Sequence, residues 1–279
     1  MTARRLDGSV TRRLRIGCSG WGYDDWLGVF YASGTPAGEY LERYARVFDV
    51  VEVDSSYYRM PTLEQTERWA RATPPGFTFA LKFPGEITHE AKLENVEGAV
   101  AAFLRVLEPL RRAGKLGPLL AQLPASFRAE KGRKALEAFL PLVPRDQPLA
   151  VELRHASWWT DETYKALEAA GAALAWSVNA DAPTPPVATA DFLYVRFIGD
   201  RELTRFDRIQ RDGSKAMEEM RERIAEEGRR AGHVFLFANN HYMGFGPGTA
   251  ARLAEVLGEP AIDLAPAARP KGQRGLGDF

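Results

Sequence analysis

The stretch Leu149-Ala150-Val151-Glu152-Leu153-Arg154-His155-Ala156-Ser157-Trp158-Trp159 decides the fold of this chain. A short apolar run leads into a carboxylate, a guanidinium, an imidazole and two indoles. A strand repeats every two residues, so Glu152 and Arg154 share one face and Val151 and Leu153 the other. A strand that is apolar along its length and charged at its C-terminal end has the pattern of a site-bearing strand in a parallel α/β barrel.

Seven more apolar or β-rich runs flank it, giving eight in all: 14–19, 50–53, 77–82, 119–122, 149–152, 173–178, 192–197 and 234–238. Helical patterns separate most of them, over 38–48, 63–71, 96–113, 131–140, 161–170, 214–231 and 248–257. Pro61-Thr62 precedes the second pattern as an N-terminal signal, and Gly171 stops the fifth. This repeated βα alternation without an internal linker predicts a single TIM-type (β/α)8 barrel rather than an open doubly wound sheet. Asp181-Ala182-Pro183-Thr184-Pro185-Pro186 is too proline-rich for a full helix, so the crossover after the sixth strand is expected to be irregular.

Length and composition agree with one barrel. The 279 residues, 45% hydrophobic and 27% charged, suit a barrel of about 250 residues. The expected division is a basic tail over 1–13, the barrel over 14–258 and a Pro/Gly/Arg-rich tail over 259–279. Formal net charge is zero, which predicts no bulk attraction to a polyanion. Cys18 is the single cysteine, so no disulfide framework or cysteine zinc site forms within one chain. With no secretory h-region and no run of roughly 18 apolar residues, the expected location is cytoplasmic, with no membrane partner.

The strand ends carry the chemistry. Glu52, Lys82, Gln122, Glu152, Ser177, Asn179, Tyr194 and Arg196 all keep the inward parity of their runs, and the eighth run leads into Asn239-Asn240-His241. Loop polarity without a common site has no reason to keep strand parity. A ligand pocket at the C-terminal mouth is therefore expected. Glu52 and Glu152 are the acid/base candidates, if burial raises their pKa; the competing reading is a buried ion pair of Glu152 with Arg196. Lys82, Arg154 and Arg196 are read as anion clamps, and Trp21, Tyr57, Tyr58 and Trp158 as stacking walls. Gln122, Asn179, Asn239, Asn240 and His241 are expected to orient the ligand, with His89 and His155 beside them. Gly244, Gly246 and Gly248 open the last helical pattern, where backbone amides can meet a phosphate. The spacing fits no P-loop, H-E-x-x-H or nucleophile-elbow motif. A divalent metal on Glu52, Glu152, His89, His155 or His241 is not favoured, because nothing in the spacing fixes their geometry, and the cofactor is unknown.

At these residues the chain resembles the YecE-like proteins, domain-of-unknown-function family 72. The resemblance runs from about Arg15 to Leu257 and rests on Ile16-Gly17-Cys18-Ser19-Gly20-Trp21, Val51-Glu52-Val53-Asp54-Ser55-Ser56-Tyr57-Tyr58, Lys82-Phe83-Pro84, Gln122-Leu123-Pro124, Glu152-Leu153-Arg154-His155, Tyr194-Val195-Arg196-Phe197 and Asn239-Asn240-His241. It implies a TIM-type barrel and supplies no reaction. Two departures stand out. Ile198-Gly199 replaces the family's usual His-Gly, and Asp54 replaces a common Asn, adding a negative charge to the mouth. By fold analogy such barrels are similar to endonuclease IV-like and sugar-isomerase-like barrels, which use His, Asp and Glu metal ligands. The leading expectation is an enzyme acting on a phosphorylated or nucleotide-like anionic small molecule. The alternatives are a metal-dependent phosphodiesterase on nucleic acid and a non-catalytic module binding nucleic acid or protein.

Overall fold

The computed structural model describes residues 13–178 and 183–265. Its strands are β1 (Arg13–Ser19), β2 (Val50–Val53), β3 (Thr78–Lys82), β4 (Leu116–Gln122), β5 (Leu149–Glu152), β6 (Ala173–Leu174), β7 (Trp176–Val178), β8 (Phe192–Phe197) and β9 (His233–Ala238). They form one sheet in the order β6-β5-β4-β3-β2-β1-β9-β8-β7, with every pairing parallel. The two ends of that order, β6 and β7, are consecutive pieces of one extended segment. Only Ala175 lies between them, and its amide still donates to the Val151 carbonyl at 2.9 Å. The sheet thus returns on itself as a TIM-type barrel, and the sixth predicted run is its split strand.

The helices follow the expected alternation, with differences that have local causes. The pattern over 96–113 forms two helices, Glu97–Val106 and Glu108–Arg112. Pro109 has no N–H to carry the first ladder onward, so a new helix starts around it. Thr62 and Gln65 make a reciprocal capping box at Leu63–Ala72, and Gly171 ends Asp161–Ala170 in the left-handed conformation. β4 begins three residues before its predicted run, because Gly117 lets it lie close against Thr78 and Phe79. Pro183–Ala190 hold no helix or strand, as expected for the irregular crossover, while residues 179–182 lie outside the described residues. So do most of the predicted tails, 1–12 and 266–279. In the described start of the C-terminal tail, Ile262 and Leu264 pack against the main core.

Two sizes of side chain fill the barrel. β2, β3, β5, β6 and the Ala175 break contribute small interior residues: Val50, Ala80, Ala150, Ala173 and Ala175. β8 and β9 contribute Phe192, Tyr194, Phe235 and Phe237. Large rings from one side occupy the space left by alanines on the other, which fills the interior below the mouth. Outward residues such as Val51, Phe79 and Val151 meet the helix layer in a separate, larger core.

The seam between β1 and β2 depends on one hydroxyl. Their register covers only Cys18↔Val51 and Ser19↔Glu52. Below it, Tyr44 accepts from the Cys18 amide at 2.7 Å and donates to the Val50 carbonyl at 2.9 Å. Gly17 leaves room for this bridge, since a Cβ there would stand 2.9 Å from the Tyr44 hydroxyl and 2.1 Å from the Val50 oxygen. Tyr44→Phe leaves a buried donor and a buried acceptor unpaired. The expected loss is about 1–3 kcal/mol, read by urea denaturation with an unchanged m-value.

Among the described residues no helix is long and apolar enough to cross a membrane.

Candidate functional site at the C-terminal mouth of the barrel

The inward parity of the strands converges on one buried network. Arg196 grips Glu52 with two nitrogens, Nε to Oε2 at 2.7 Å and Nη2 to Oε1 at 2.9 Å, and sends Nη1 to Glu152 Oε2 at 2.6 Å. Ser19 and Tyr194 each donate to Glu52 at 2.7 Å. Gln122 donates to Glu152 Oε1 at 2.8 Å and accepts from Lys82 Nζ at 2.6 Å. Both glutamates are wholly buried, and Arg196 is 3% exposed. The network therefore runs from Ser19 and Tyr194 through Glu52, Arg196, Glu152 and Gln122 to Lys82.

This arrangement corrects the expected acid/base role of Glu52. Burial alone raises a carboxyl pKa, but the Arg196 charge and the hydrogen bonds from Arg196, Ser19 and Tyr194 overcome it and leave Glu52 below the ordinary value. A carboxylate so held is a poor proton carrier near neutrality. The ion-pair reading of Glu152 with Arg196 describes the geometry, and it extends to Glu52.

Above this floor lies a pocket of about 740 Å³. Lys82, Gln122, Arg154 and Arg196 rise from the floor, Asp54 and Tyr58 stand after β2, and Arg201, Phe206 and His241 close the opposite side. Lys82 lies over the Tyr57 ring, 4.2 Å from its centroid, and makes no ion pair among the described residues. Burial, and then the Arg196 charge, push its ammonium down to about 8. Asp54 is pushed the other way, up to about 6, by burial and the Glu52 charge. Arg154 reaches Glu152 at 3.4 Å and is one-third exposed. Asp200 on the rim is claimed by both Arg211 nitrogens, which hold its carboxyl below the usual range.

The remaining expected residues divide. Tyr57, Tyr58 and His89 stand together beside Lys82, Tyr57 meeting Tyr58 and His89 edge-on at 5.0 and 4.8 Å. Burial and the Lys82 and Arg154 charges lower the His89 pKa. Asn239, Asn240 and His241 line the pocket. Each also makes local contacts that shape its own loop. Asn239 caps the turn by accepting from the His241 amide, Asn240 accepts from Trp26 and the Gly246 amide, and His241 Nδ1 meets the Leu203 carbonyl. Asn179 lies outside the described residues.

Other expected residues sit away from the pocket. Trp158 is fully buried, stacked on Phe127 with its Nε1 on the Phe127 carbonyl, so it is core and not a stacking wall. Trp21 packs edge-on against Trp69 and Phe79 in the helix layer. His155 caps its own turn through Ser157. The three glycines do not open an anion cradle. Gly244 abuts Arg208 and Gln210, Gly248 abuts Phe245 and Ile209, and Asn240 already takes the Gly246 amide. Among the described residues no group of three or more His, Cys, Asp or Glu side chains is placed to hold a metal ion.

Several lining residues stand outside the expected site set, among them Asp54, Tyr23 and Arg201. Asp54 carries the same parity as Glu52, one step beyond it, and marks Glu52-Val53-Asp54 as a two-level strand end. Tyr23 lines the pocket from the loop after β1. Arg201 belongs to the irregular loop after β8, where no periodicity exists to show direction.

Asp54 gives a stability prediction with a definite sign. Its folded pKa of about 6 lies above the ordinary 3.8, so between those values the folded chain holds the extra proton and unfolding becomes easier as pH rises. Asp54→Asn removes the charge that burial disfavours. Thermal unfolding should show the variant more stable than the wild type at pH 8, with the difference vanishing near pH 4.

Three comparisons with known proteins bear on this site. A family model described as "Protein of unknown function DUF72" matches residues 15–274. The UPF0759 protein YecE of Escherichia coli strain K12 is 34% identical over 146 residues, covering 52% of this chain and 50% of that protein. The UPF0759 protein YunF of Bacillus subtilis strain 168 is 30% identical over 156 residues, covering 54% of each. The chain thus spans about half the length of the curated relatives it matches. The crystal structure of a DUF72 family protein from Thermotoga maritima matches with a TM-score of 0.77 and 30% identity, over 89% of this chain and all of that one.

Proposed function

The chain belongs to the DUF72 family, whose description assigns no activity, and from its pocket we propose that it binds a small phosphorylated or nucleotide-like ligand and performs acid/base chemistry on it. The observation that carries this reading is Lys82. It is a buried lysine facing a pocket, and the two buried glutamates near it are held by Arg196. A buried ammonium without a carboxylate partner is unfavourable unless something else supplies negative charge.

A phosphate between Lys82 and Arg154 supplies it, with Arg201 approaching from the rim. Around the pocket, Lys82, Arg154, Arg196, Arg201 and Arg211 face Glu52, Glu152, Asp54 and Asp200, an excess of one cation that grows when Asp54 is protonated. Tyr58, exposed at the rim, and Phe206 flank the organic part of the ligand. In this reading Asp54 and Lys82 move protons, because their pKa values of about 6 and about 8 bracket neutrality. Glu52 and Glu152 hold Arg196 and Gln122 in place.

Isothermal titration with AMP, inorganic pyrophosphate and adenosine tests the reading. AMP and pyrophosphate should bind and adenosine should bind at least about tenfold more weakly, a difference of about 1.4 kcal/mol. Equal affinity for adenosine and AMP contradicts it. Binding confined to long single strands, with a steep salt dependence, would favour the nucleic-acid alternative.

A further inference from the structure

The hydrogen bonds around Lys82 do more than place a positive charge. Its side chain is 8% exposed, at the end of β3 on the pocket floor. The Nζ donates one hydrogen bond, to Gln122 Oε1, and Gln122 is itself locked by its donation to Glu152. The Nζ also stands over the Tyr57 ring, 4.2 Å from its centroid. Arg196 binds both buried glutamates, so neither carboxylate closes on the nitrogen. A lysine meant only as a structural cation would be better placed against Glu152, 2.8 Å from the amide that separates them. Here an amide intervenes, and the nitrogen stays open to the cavity, desolvated and beside a fixed guanidinium. Those are the surroundings that turn a lysine into a nucleophile.

We propose that Lys82 forms a Schiff base with the carbonyl carbon of a phosphorylated aldehyde or ketone held in this pocket. The proposal rests on the anionic-ligand reading above and specifies the substrate class. The neutral Lys82 amine attacks the carbonyl carbon, forming a C–N bond while the C=O π electrons move to oxygen. That oxygen takes two protons, one released by the nitrogen and one delivered by the Asp54 carboxyl, and leaves as water. The nitrogen lone pair then forms the C=N bond. Amine, carbonyl compound and one proton give an iminium cation and water, with no oxidant or reductant. Asp54 lines the same pocket and is available to carry that proton in both directions. The ammonium near 8 and the carboxyl near 6 each leave a usable fraction of the required form at neutral pH. Arg154 and Arg201 hold the phosphate, which keeps the carbonyl over Lys82 and selects against unphosphorylated carbonyl compounds.

The test uses pyridoxal 5′-phosphate as a probe aldehyde at low concentration, with borohydride to fix the imine and peptide mass analysis to locate it. Pyridoxal is the comparator that lacks the phosphate. The expected result is one adduct on the Lys82 peptide, ahead of the exposed Lys131. It should form at least about tenfold faster with the phosphorylated probe and be suppressed by pyrophosphate. Its rate should rise with a midpoint near pH 8 and not near the ordinary lysine value of about 10.4. Lys82→Arg, checked for folding by thermal unfolding, should lose that adduct alone. Modification of exposed lysines with Lys82 unmodified overturns the Schiff base; if AMP and pyrophosphate still bind by calorimetry, the anionic-ligand reading survives it. Equal labelling of Lys82 by both probes without pyrophosphate protection overturns the phosphorylated substrate class and the anionic-ligand reading together.

Discussion

Arg196→Met should cost about 3–5 kcal/mol of folding stability, the largest loss expected of any single pocket change. The substitution keeps much of the side-chain volume and removes a guanidinium that makes three hydrogen bonds to two wholly buried carboxylates. Glu52 keeps Ser19 and Tyr194, and Glu152 keeps Gln122, but no buried cation then sits between them. Two neighbouring buried carboxylates repel and lack solvent, so at least one takes up a proton. Urea denaturation at pH 7 measures the loss. The sign with pH is also fixed. In the wild type Glu52 lies below its ordinary pKa, so its contribution is present above the unfolded value and lost as pH falls through the folded one. In the variant the Glu52 carboxyl loses the charge that held it down and moves up, and its burial penalty fades on acidification. The gap between the two proteins should therefore narrow as pH falls from 7 to 4. Arg196→Lys should rescue little, since one ammonium does not span both carboxylates in the same fork. A loss below about 1 kcal/mol for Arg196→Met, the size of an exposed pair, would contradict the buried-network account.

Lys82→Met should weaken pyrophosphate or AMP binding by about 10- to 100-fold, the worth of a charge-assisted hydrogen bond of about 1.5–3 kcal/mol. Its effect on stability should have the opposite sign. Lys82 lies below its ordinary pKa, so its buried ammonium opposes folding at neutral pH, and removing it stabilises the chain. A change that stabilises the fold while weakening the site marks a residue retained for function. The pH profile of binding separates the two titrating groups. Wild-type affinity should fall as pH rises through about 8, where Lys82 loses its charge, and improve below about 6, where Asp54 loses its own. Lys82→Met should lose the upper limb and Asp54→Asn the lower. Unchanged affinity in Lys82→Met would remove this residue from the site.

Strand parity made much of this structure legible from the sequence. It placed Glu52, Lys82, Gln122, Glu152 and Arg196 at one level because alternate residues on a strand share a face whatever the loops do. It did not show which charges pair. Arg196 and Glu52 are 144 residues apart, and their contact depends on the curvature of a closed sheet. Loop residues carried no such constraint. Trp158 lies in the turn after β5, yet that turn carries the ring down onto Phe127, and Trp21 turns outward to Trp69. The glycines at 244, 246 and 248 suggested an anion cradle by spacing, but close packing, of Gly244 on Gln210, Gly246 on Asn240 and Gly248 on Phe245 and Ile209, is the reason a Cβ is excluded there. Asp54 shared the parity of Glu52 and differed only in depth. That depth leaves one carboxylate to Arg196 and the other to the pocket.

The central claim is that the pocket over the Glu52–Arg196–Glu152 floor receives an anion. A crystal structure of the protein grown with inorganic pyrophosphate tests it most directly. The account predicts pyrophosphate density within hydrogen-bond reach of Lys82 Nζ and the Arg154 guanidinium, with the Arg196 contacts to both glutamates intact. Pyrophosphate bound only elsewhere on the chain, with the pocket filled by water at saturating concentration, would contradict it.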